Sequence, residues 1–343
     1  MSGISVAQYR LAAQFIQGWR SPLLVSHTKP DGDAIGSLVA LRGMFRQLGV
    51  AATVLVFEDI PSRYAVLNGA APFAKLGTDV AQPALDSFDS VVVADTCTYN
   101  QIEPIADWLK SSTIPKLAID HHRTRNDLAD LYLIDETAAA NCLILHDWLN
   151  SRSATWEFDQ GIGEALFVGI ATDTGWFRHS NTDARALAVA AELVEKGVDA
   201  HRLFEALYHC DSEGRVRLLG RAIDSMELHA NGRLAIMTLG NADFLATGAS
   251  ASDTEDIVNE PLRMATTVAS VLLVEQEDGL VRASFRSRTP TQGIPDIDVA
   301  AVAQGLGGGG HSRAAGARLS GPLTTAKELV LQCIRPRLSD EGS

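Results

Sequence analysis

No apolar run in this chain approaches the roughly 20 residues that a membrane-spanning helix needs, because charged residues or glycines interrupt the longest ones. The N-terminal stretch MSGISVAQYRLAAQF also lacks the basic-then-apolar order of a secretory signal. The cysteines Cys97, Cys142, Cys210 and Cys333 are scattered with no paired spacing, which disfavours a disulfide framework and a sulfur-bound zinc site. These absences predict a cytoplasmic protein with no membrane partner.

Basic residues are also scarce, since 29 Lys and Arg stand against 42 Asp and Glu, for a formal net charge of −13. A protein that tracks long nucleic acid usually has a basic face, because neutralising phosphates supplies much of its affinity. The composition therefore disfavours tracking of a long polymer. If the substrate carries phosphate, the acidic composition favours a small ligand that is held by a few local groups.

The order of strand-like and helix-like patterns predicts the architecture. Strand-like runs occur at 22–26, 52–58, 90–96 and 116–120, with helical periodicity at 35–49, about 101–110 and 138–150. This alternation predicts an α/β fold with a doubly wound, mainly parallel sheet, which binds ligands outside the carboxyl ends of its strands. A mostly helical stretch follows, and then strand-like runs at 233–239, 266–276 and 280–287.

The length of 343 residues favours two domains. We predict a catalytic domain over 1–185, a helical connector over 186–230 and a smaller α/β domain over 231–338. The stretch 240–265 is left unassigned, and its acidic residues suit helix caps.

Aspartate and histidine recur where the predicted strands end. They are His27, Asp31 and Asp33 after the first run, Asp95 after the third, Asp120, His121 and His122 after the fourth, and Asp173 after an apolar segment. Carboxylates gathered without matching Lys or Arg repel one another, and a divalent cation is the usual remedy. Carboxylate and imidazole ligands suit manganese, magnesium or ferrous iron. The number of ligands favours a pair of ions, as in hydrolases of phosphate esters.

Each motif alone has a simpler interpretation. PDGD at 30–33 suits a turn, a His-His pair is usually surface or satisfied core, and an aspartate after a strand is often only a helix cap. The four motifs together, all at predicted strand ends, favour the metal site.

Four motifs, HTKPDGDAIGS (27–37), the strand end at Asp95, AIDHH (118–122) and GIATDTGWF (169–177), resemble in order those of the DHH phosphoesterases. GGGGHSRAAG (307–316) and FRSR (285–288) resemble the glycine-rich and arginine-serine segments of the DHH-associated C-terminal domain. The resemblance spans nearly the whole chain. Its length and two-domain plan are most similar to the bacterial nano-RNase/pAp-phosphatase (oligoribonuclease) group.

This resemblance implies two manganese ions, with magnesium, cobalt or ferrous iron as alternatives. One ion would be held by His27, Asp31 and Asp95, and the other by Asp33, Asp95, His121 and Asp173, so that Asp95 bridges them. It also implies that Asp120 orients an imidazole and that His122 faces the scissile phosphate.

The second domain is predicted to bind the substrate. Its glycines would let backbone amides approach a ligand closely, and a helix beginning at SRAAG would favour an anion. The substrate-binding residues are predicted to be Arg286, Ser287, Arg288, Gly308, Gly309, Gly310 and His311, together with Arg178 after the fourth motif. Two arginines on one strand face suit phosphate. The alternatives are a flexible linker for the glycines, a solvated sheet edge for one arginine, and a plain surface position for Arg178.

The leading hypothesis is a two-metal phosphoesterase that hydrolyses short oligoribonucleotides, dinucleotides or 3′-phosphoadenosine 5′-phosphate (pAp) to mononucleotides. Its expected partners are short RNA or DNA oligonucleotides and small nucleotides, and a homodimer is left open. The alternatives are an inorganic pyrophosphatase or exopolyphosphatase, a single-strand exonuclease, and a non-catalytic nucleotide-binding regulator. The glycine-rich segment disfavours the first, the acidic charge the second, and the complete set of ligand types the third.

Overall fold

The chain folds into two compact units, Met1–Cys210 and Asp211–Ser343. The computed structural model describes residues 3–68, 72–151, 156–276, 278–291 and 294–338. Within these ranges no helix is both long and apolar enough to cross a bilayer.

The first unit alternates strands and helices over most of its length. Its elements are α1 (Val6–Phe15), β1 (Pro22–Val25), α2 (Gly32–Gln47), β2 (Thr53–Val56), α3 (Ala65–Asn68), β3 (Ala74–Lys75), β4 (Ser90–Ala94), α4 (Glu103–Ser111), β5 (Lys116–Asp120), β6 (Leu131–Ile134), α5 (Asn141–Asn150), α6 (Gln160–Asp173), α7 (Ala184–Glu195) and α8 (Ala200–Tyr208). Short 3₁₀ turns occupy Ser62–Tyr64 and Gln82–Ser87.

These strands form one sheet in the order β3-β2-β1-β4-β5-β6, and every pair in it is parallel. The central strands β1 and β4 are mainly apolar and fully buried because both of their faces are covered. Leu24 and Val92 face a core that includes residues of α2, α5 and α6. Leu23 and Val91 face a second core that includes residues of α4. The predicted α/β fold with a doubly wound parallel sheet is thereby confirmed.

Close packing of α2 against α6 depends on small residues at their contact. A Cβ added to Gly36 of α2 would lie 2.4 Å from the carbonyl oxygen of Ala165 and 3.2 Å from Sγ of Cys142. A Cβ added to Gly169 of α6 would lie 2.2 Å from the same sulfur and 2.7 Å from Oδ1 of Asp33. The helix backbones therefore approach closely beside the first strand-end loop.

The second unit is a mixed α/β domain. Its elements are α9 (Glu213–Asp224), β7 (Glu227–His229), β8 (Leu234–Leu239), α10 (Asn241–Thr247), β9 (Ala269–Glu275), β10 (Leu280–Ser287), α11 (Val299–Gly305), β11 (Gly309–His311), β12 (Ala314–Ser320) and α12 (Leu323–Ile334), with 3₁₀ turns at Ala251–Thr254, Ile257–Arg263 and Arg335–Arg337. The sheet order is β11-β12-β10-β9-β8-β7, in which β8 and β9 are parallel and the other pairs antiparallel.

The predicted connector 186–230 is divided between the two units. Helices α7 and α8 belong to the first unit, and α9 belongs to the second. The unassigned stretch 240–265 forms α10 and two 3₁₀ turns, and Asp253 accepts a hydrogen bond from the backbone N–H of Ser250 there. The domain limits 1–185, 186–230 and 231–338 stay a prediction.

Two local expectations are wrong. Asp173 ends a helix, α6, because a short continuous apolar run does not distinguish a buried helix from a buried strand. The segment after the glycines is not a helix start, since Gly309–His311 and Ala314–Ser320 form a β-hairpin. Pairing with β10 and period-two burial outweigh the helix propensity of its alanines.

Candidate active site

The candidate active site lies at the carboxyl ends of β1, β4 and β5. Strands β1 and β4 are adjacent at the point where the strand order reverses, which is where doubly wound sheets bind ligands. His27 and Asp31 lie in the loop after β1, and Asp95 directly follows β4. His121 follows β5, and Asp173 arrives from the end of α6. The structure thus brings the predicted metal ligands together.

Three overlapping groups of ligand atoms could each hold a metal ion. The groups are His27, Asp31 and Asp95; Asp33, His121 and Asp173; and Asp95, His121 and His122, and within each group the ligand atoms lie within 4.8 Å of one another. Asp95 belongs to the first and third groups, and His121 belongs to the second and third. Because the groups share members, they suit neighbouring ions, while the division of ligands between the ions stays a prediction.

His121 is oriented so that one ring nitrogen faces the carboxylates. Its Nδ1 lies 3.1 Å from the carbonyl oxygen of Ala138, and a carbonyl only accepts, so Nδ1 carries a proton. Its Nε2 lies 3.4 Å from Oδ1 of Asp95, 3.9 Å from Oδ2 of Asp33 and 3.8 Å from Oδ2 of Asp173. This orientation points the coordinating lone pair at the acidic cluster.

Asp95 is held in a costly conformation. Its backbone φ is 60°, in the left-handed region that aspartate adopts more readily than most residues. It is 2 % exposed, and its Oδ1 has no hydrogen-bond partner among the described residues. Its Oδ2 lies 3.7 Å from Nε2 of His27. A buried carboxylate oxygen with no donor, facing imidazole nitrogens, fits a cation ligand.

Asp31, at the end of the first loop, and Asp33, at the start of α2, are fixed by backbone donors. Oδ1 of Asp31 accepts from the N–H groups of Asp33 and Ala34, so Asp31 caps α2. The carboxylate of Asp33 accepts from the N–H groups of Asn141 at 2.5 Å and Cys142 at 3.0 Å, at the start of α5. Asp31 can both cap the helix and bind a metal ion, because Oδ1 accepts the two capping hydrogen bonds and Oδ2 remains available to the ion.

Burial and mutual repulsion shift the titration of the cluster. Burial, followed by the charges of Asp95 and Asp173, raises the pKa of Asp33 well above its usual value. Burial and the neighbouring carboxylates raise the pKa of Asp173 to about 6, although His121 opposes the shift. Burial lowers the pKa of His121, but the adjacent Asp95 carboxylate and the charges of Asp33 and Asp173 outweigh it and raise that pKa to about 10. Without a cation, protons must balance this charge.

Asp120 organises the His-His pair from beneath. It is fully buried, and its Oδ1 accepts from the N–H groups of His121 at 2.8 Å and His122 at 3.1 Å. The same oxygen lies 2.7 Å from Nδ1 of His122, and this hydrogen bond is the main cause that raises the pKa of His122. The imidazole that Asp120 contacts is therefore that of His122, whose side chain is half exposed.

The predicted substrate-binding residues of the second unit differ in burial and in the hydrogen bonds that their side chains make within the protein. In the sheet register His311 pairs with Ala314, and Ala314 pairs with Arg286, so both side chains belong to one row across the sheet. Arg286 is half-buried, and burial lowers its pKa. Arg288 donates to the carbonyl oxygens of Leu262 at 3.1 Å and Ala265 at 3.2 Å.

The hairpin glycines and Ser287 have packing roles. A Cβ on Gly308 would lie 2.1 Å from the carbonyl oxygen of Gly316, and Gly310 has φ 141°. Nothing lies within 4 Å of a Cβ added to Gly309. Ser287 is buried, and its hydroxyl donates to the carbonyl oxygen of Ile297 at 2.7 Å. The hairpin therefore needs glycine at two positions for its own geometry.

Three residues that support the site were missed from the sequence. Asn181 donates to the carbonyl oxygens of Ala139 at 3.1 Å and Asp173 at 3.2 Å. Asn141 meets Asp33 through its backbone, and Arg185 binds two aspartates nearby. Their side-chain types carry no signal, because the contacts are between residues far apart in the chain. Arg178, which was predicted, is exposed and donates to the carbonyl oxygen of Gly175 at 2.8 Å.

The fold and the candidate metal ligands suit a phosphoesterase, and comparison with known proteins identifies the family. The N-terminal domain of the DHH family matches residues 23–170, and the DHHA1 domain matches residues 231–336. The chain belongs to the DHH family and is a hydrolase that acts on phosphoester bonds.

Two relatives and one solved structure illustrate the similarity. A bifunctional oligoribonuclease and PAP phosphatase NrnA from Thermus thermophilus is 30 % identical, over 97 % of this chain and 95 % of the relative. The protein of the same name from Bacillus subtilis is 26 % identical, over 87 % of this chain and 88 % of the relative. An exopolyphosphatase-related protein from Bacteroides fragilis shares the fold, with a TM-score of 0.88 at 22 % identity and 98 % coverage of both chains.

Proposed function

We propose that the protein is a two-metal phosphoesterase that hydrolyses dinucleotides and other short oligoribonucleotides to mononucleotides, and pAp to a mononucleotide and phosphate. The observation that carries this proposal is the set of three carboxylate–imidazole groups, which overlap through Asp95 and His121. The names of the two NrnA relatives support these substrates. We further propose that the protein works in the cytoplasm.

The proposed cofactors are two Mn²⁺ ions, with Mg²⁺, Co²⁺ or Fe²⁺ as alternatives. The residues that would hold them are His27, Asp31 and Asp95 for one ion and Asp33, Asp95, His121 and Asp173 for the other. Such ions would lower the pKa of a bound water and would neutralise charge on the reacting phosphate. The donors are carboxylate oxygens and imidazole nitrogens, a set that suits these cations.

His122 is the proposed proton donor to the leaving oxygen or to the phosphate. Because its Nδ1 donates to Asp120, its Nε2 is the nitrogen available to the substrate. The raised pKa of His122 increases the protonated fraction near neutral pH, which is the form that a general acid needs. Asp120 thereby sets both the orientation and the charge of this imidazole.

In the second unit, Arg286 and His311 are the proposed contacts to the substrate. They belong to one row of the sheet, so both can bind the same phosphate or an adjoining base. Arg288 and Ser287 hold surrounding backbone, and we propose that they fix the position of Arg286. The glycines Gly308 to Gly310 would keep the hairpin close to the ligand.

Hydrolysis of a 5′-labelled RNA dinucleotide and of pAp in Mn²⁺ tests this proposal. We expect mononucleotide release that stops on chelation and returns with Mn²⁺. Asp95→Asn should reduce kcat by about 1,000-fold, several kcal/mol of lost charge stabilisation, because it removes the shared carboxylate while keeping a side chain that tolerates positive φ.

The control is Asp107→Asn on α4, whose side chain is fully exposed. It should leave kcat unchanged. If the wild-type protein leaves both the dinucleotide and pAp intact in Mn²⁺, the proposed function is wrong. Hydrolysis of pyrophosphate alone would instead support the pyrophosphatase alternative.

A further inference from the structure

The segment 135–142, between β6 and the first turn of α5, supports two of the proposed metal ligands. We name it the support segment. Its Ala138 carbonyl accepts the Nδ1 proton of His121, at 3.1 Å. The N–H groups of Asn141 and Cys142, at its far end, both donate to the carboxylate of Asp33. A shift of this segment would therefore rotate an imidazole and release a carboxylate at the same time.

Arg185 of α7 binds both the start of the support segment and the helix α5 that follows it. Its Nη1 donates to Oδ2 of Asp135 and its Nη2 donates to Oδ2 of Asp147, each at 2.8 Å. Asp135 begins the segment, and Asp147 lies on α5, the helix into which the segment runs. The side chains of Arg185 and Asp135 are 16 % and 1 % exposed, so water screens this pair only weakly.

Further hydrogen bonds make the segment respond as one piece. Oδ1 of Asp135 accepts from both the N–H and the hydroxyl of Thr137, and the carbonyl oxygen of Asp135 accepts from the N–H of Ala138. A displacement of the Asp135 carboxylate would therefore also displace Ala138, three residues further along the chain. Asn181 holds the neighbouring carbonyl oxygen of Ala139, at 3.1 Å.

We propose that Arg185 is a positioning residue for the metal centre. Its guanidinium spans Asp135 and Asp147, and thereby fixes the carbonyl that orients His121 and the N–H groups that hold Asp33. This inference rests on the metal site of the proposed function. The hydrogen bonds of Arg185 go to Asp135 and Asp147, neither of which is a proposed metal ligand, so Arg185 would act through the support segment.

The test compares Mn²⁺ affinity, because a purely structural ion pair would change stability without changing the affinity of the folded protein. Mn²⁺ binding is titrated by electron paramagnetic resonance of the free ion, well below the melting temperature of each variant. Arg185→Met keeps a long aliphatic side chain but removes the guanidinium group that binds both carboxylates. We expect it to weaken Mn²⁺ binding by about 10- to 100-fold, the usual effect of losing a group that orients a ligand.

Two further variants keep the outcome decisive. Arg185→Lys retains a charge beside Asp135 but cannot span both carboxylates, so it should fold and show a smaller loss of affinity. Val189→Ala lies on the same helix and is buried, so it lowers stability while leaving both hydrogen bonds of Arg185 in place. It should bind Mn²⁺ like the wild type. Equal Mn²⁺ affinity in the wild type and in both Arg185 variants would overturn the positioning role.

Failure of this inference is distinct from failure of the proposed function. A wild-type protein that binds Mn²⁺ but cleaves neither the dinucleotide nor pAp contradicts the proposed substrates, and the Mn²⁺ titration still decides the role of Arg185. Unchanged Mn²⁺ affinity in the variants of an enzyme that does cleave them contradicts only the positioning role.

Discussion

Asp173 and His121 are both proposed metal ligands, and protonation of their side chains competes with metal binding. In the metal-free protein the pKa of Asp173 is raised to about 6, first by burial, and that of His121 to about 10 by its carboxylate neighbours. Coordination requires deprotonated ligands, so a proton on either group must leave before a cation binds. The cluster thus exchanges protons for metal.

This competition gives a pH dependence with a definite sign. Below pH 6 Asp173 is mostly protonated and a cation must displace that proton, whereas above pH 6 the carboxylate is already free. We therefore expect Mn²⁺ affinity to rise steeply between pH 5 and pH 7. It should keep rising more slowly above that range, because His121 still releases a proton up to about pH 10. Calorimetric titrations in buffers of different ionisation enthalpy measure both affinity and proton release. An affinity that is flat between pH 5 and pH 8, with no proton release, would contradict this assignment.

The sequence identified the types of the site residues better than their roles. The sequence predicts His27, Asp33 and Asp95 as ligands because each comes after an apolar strand-like run and is a metal-ligand type. The left-handed backbone of Asp95 and the support given by Asn181 and Arg185 were not predicted. Those features arise from contacts with residues distant in sequence, which one chain without its fold does not reveal.

Among the secondary-structure elements, α2 and α6 set the spacing of the site, since one carries Asp33 and the other Asp173. Gly36→Ala tests this packing. The added Cβ would meet the Ala165 carbonyl at 2.4 Å, and a helix backbone cannot move aside cheaply. We expect a loss of about 1–3 kcal/mol in the free energy of unfolding, typical of overpacking, measured by urea denaturation with tryptophan fluorescence.

A matched control is available on α6 itself. Gly161→Ala places a Cβ 3.5 Å from Oδ1 of Asp159, which is an ordinary contact. This exchange should leave the free energy of unfolding unchanged or raise it by up to about 1 kcal/mol, because alanine favours helix. Equal effects of the two substitutions would show that close packing at Gly36 does not matter.

Hydrophobic periodicity predicted the strands β1, β4 and β5, but it gave the wrong secondary structure for two other segments. The strands were clear because each apolar run is short and is followed by polar residues. The run before Asp173 was ambiguous because α6 is buried on most sides, so its apolar residues do not show a helical period. The SRAAG segment became a strand because β10 offers it a partner, which a local pattern does not register.

For the whole molecule, the two-unit organisation follows from which core each helix joins. Leu193 of α7 and Leu203 of α8 are buried in the first unit, and Leu218 of α9 is buried in the second. Periodicity predicts that these helices exist, but it does not reveal the core to which each belongs. That is why the predicted connector 186–230 could not be divided from the sequence.

The net charge of −13 bears on substrate size. A long RNA strand is repelled by an acidic protein except where local basic groups bind it, whereas a dinucleotide or pAp needs only a few contacts. Arg286 and His311, which share one row of the second sheet, are the contacts that we propose there. The whole-molecule charge and the local site therefore both favour short substrates.

The proposed preference for short nucleotide substrates is tested most directly by measuring kcat/KM for four substrates at one Mn²⁺ concentration. The substrates are an RNA dinucleotide, pAp, pyrophosphate and a long single-stranded RNA. We expect the dinucleotide or pAp to exceed both pyrophosphate and the long RNA by about 100-fold or more, a difference of about 2.7 kcal/mol. A preference for pyrophosphate or for the long RNA would contradict the account.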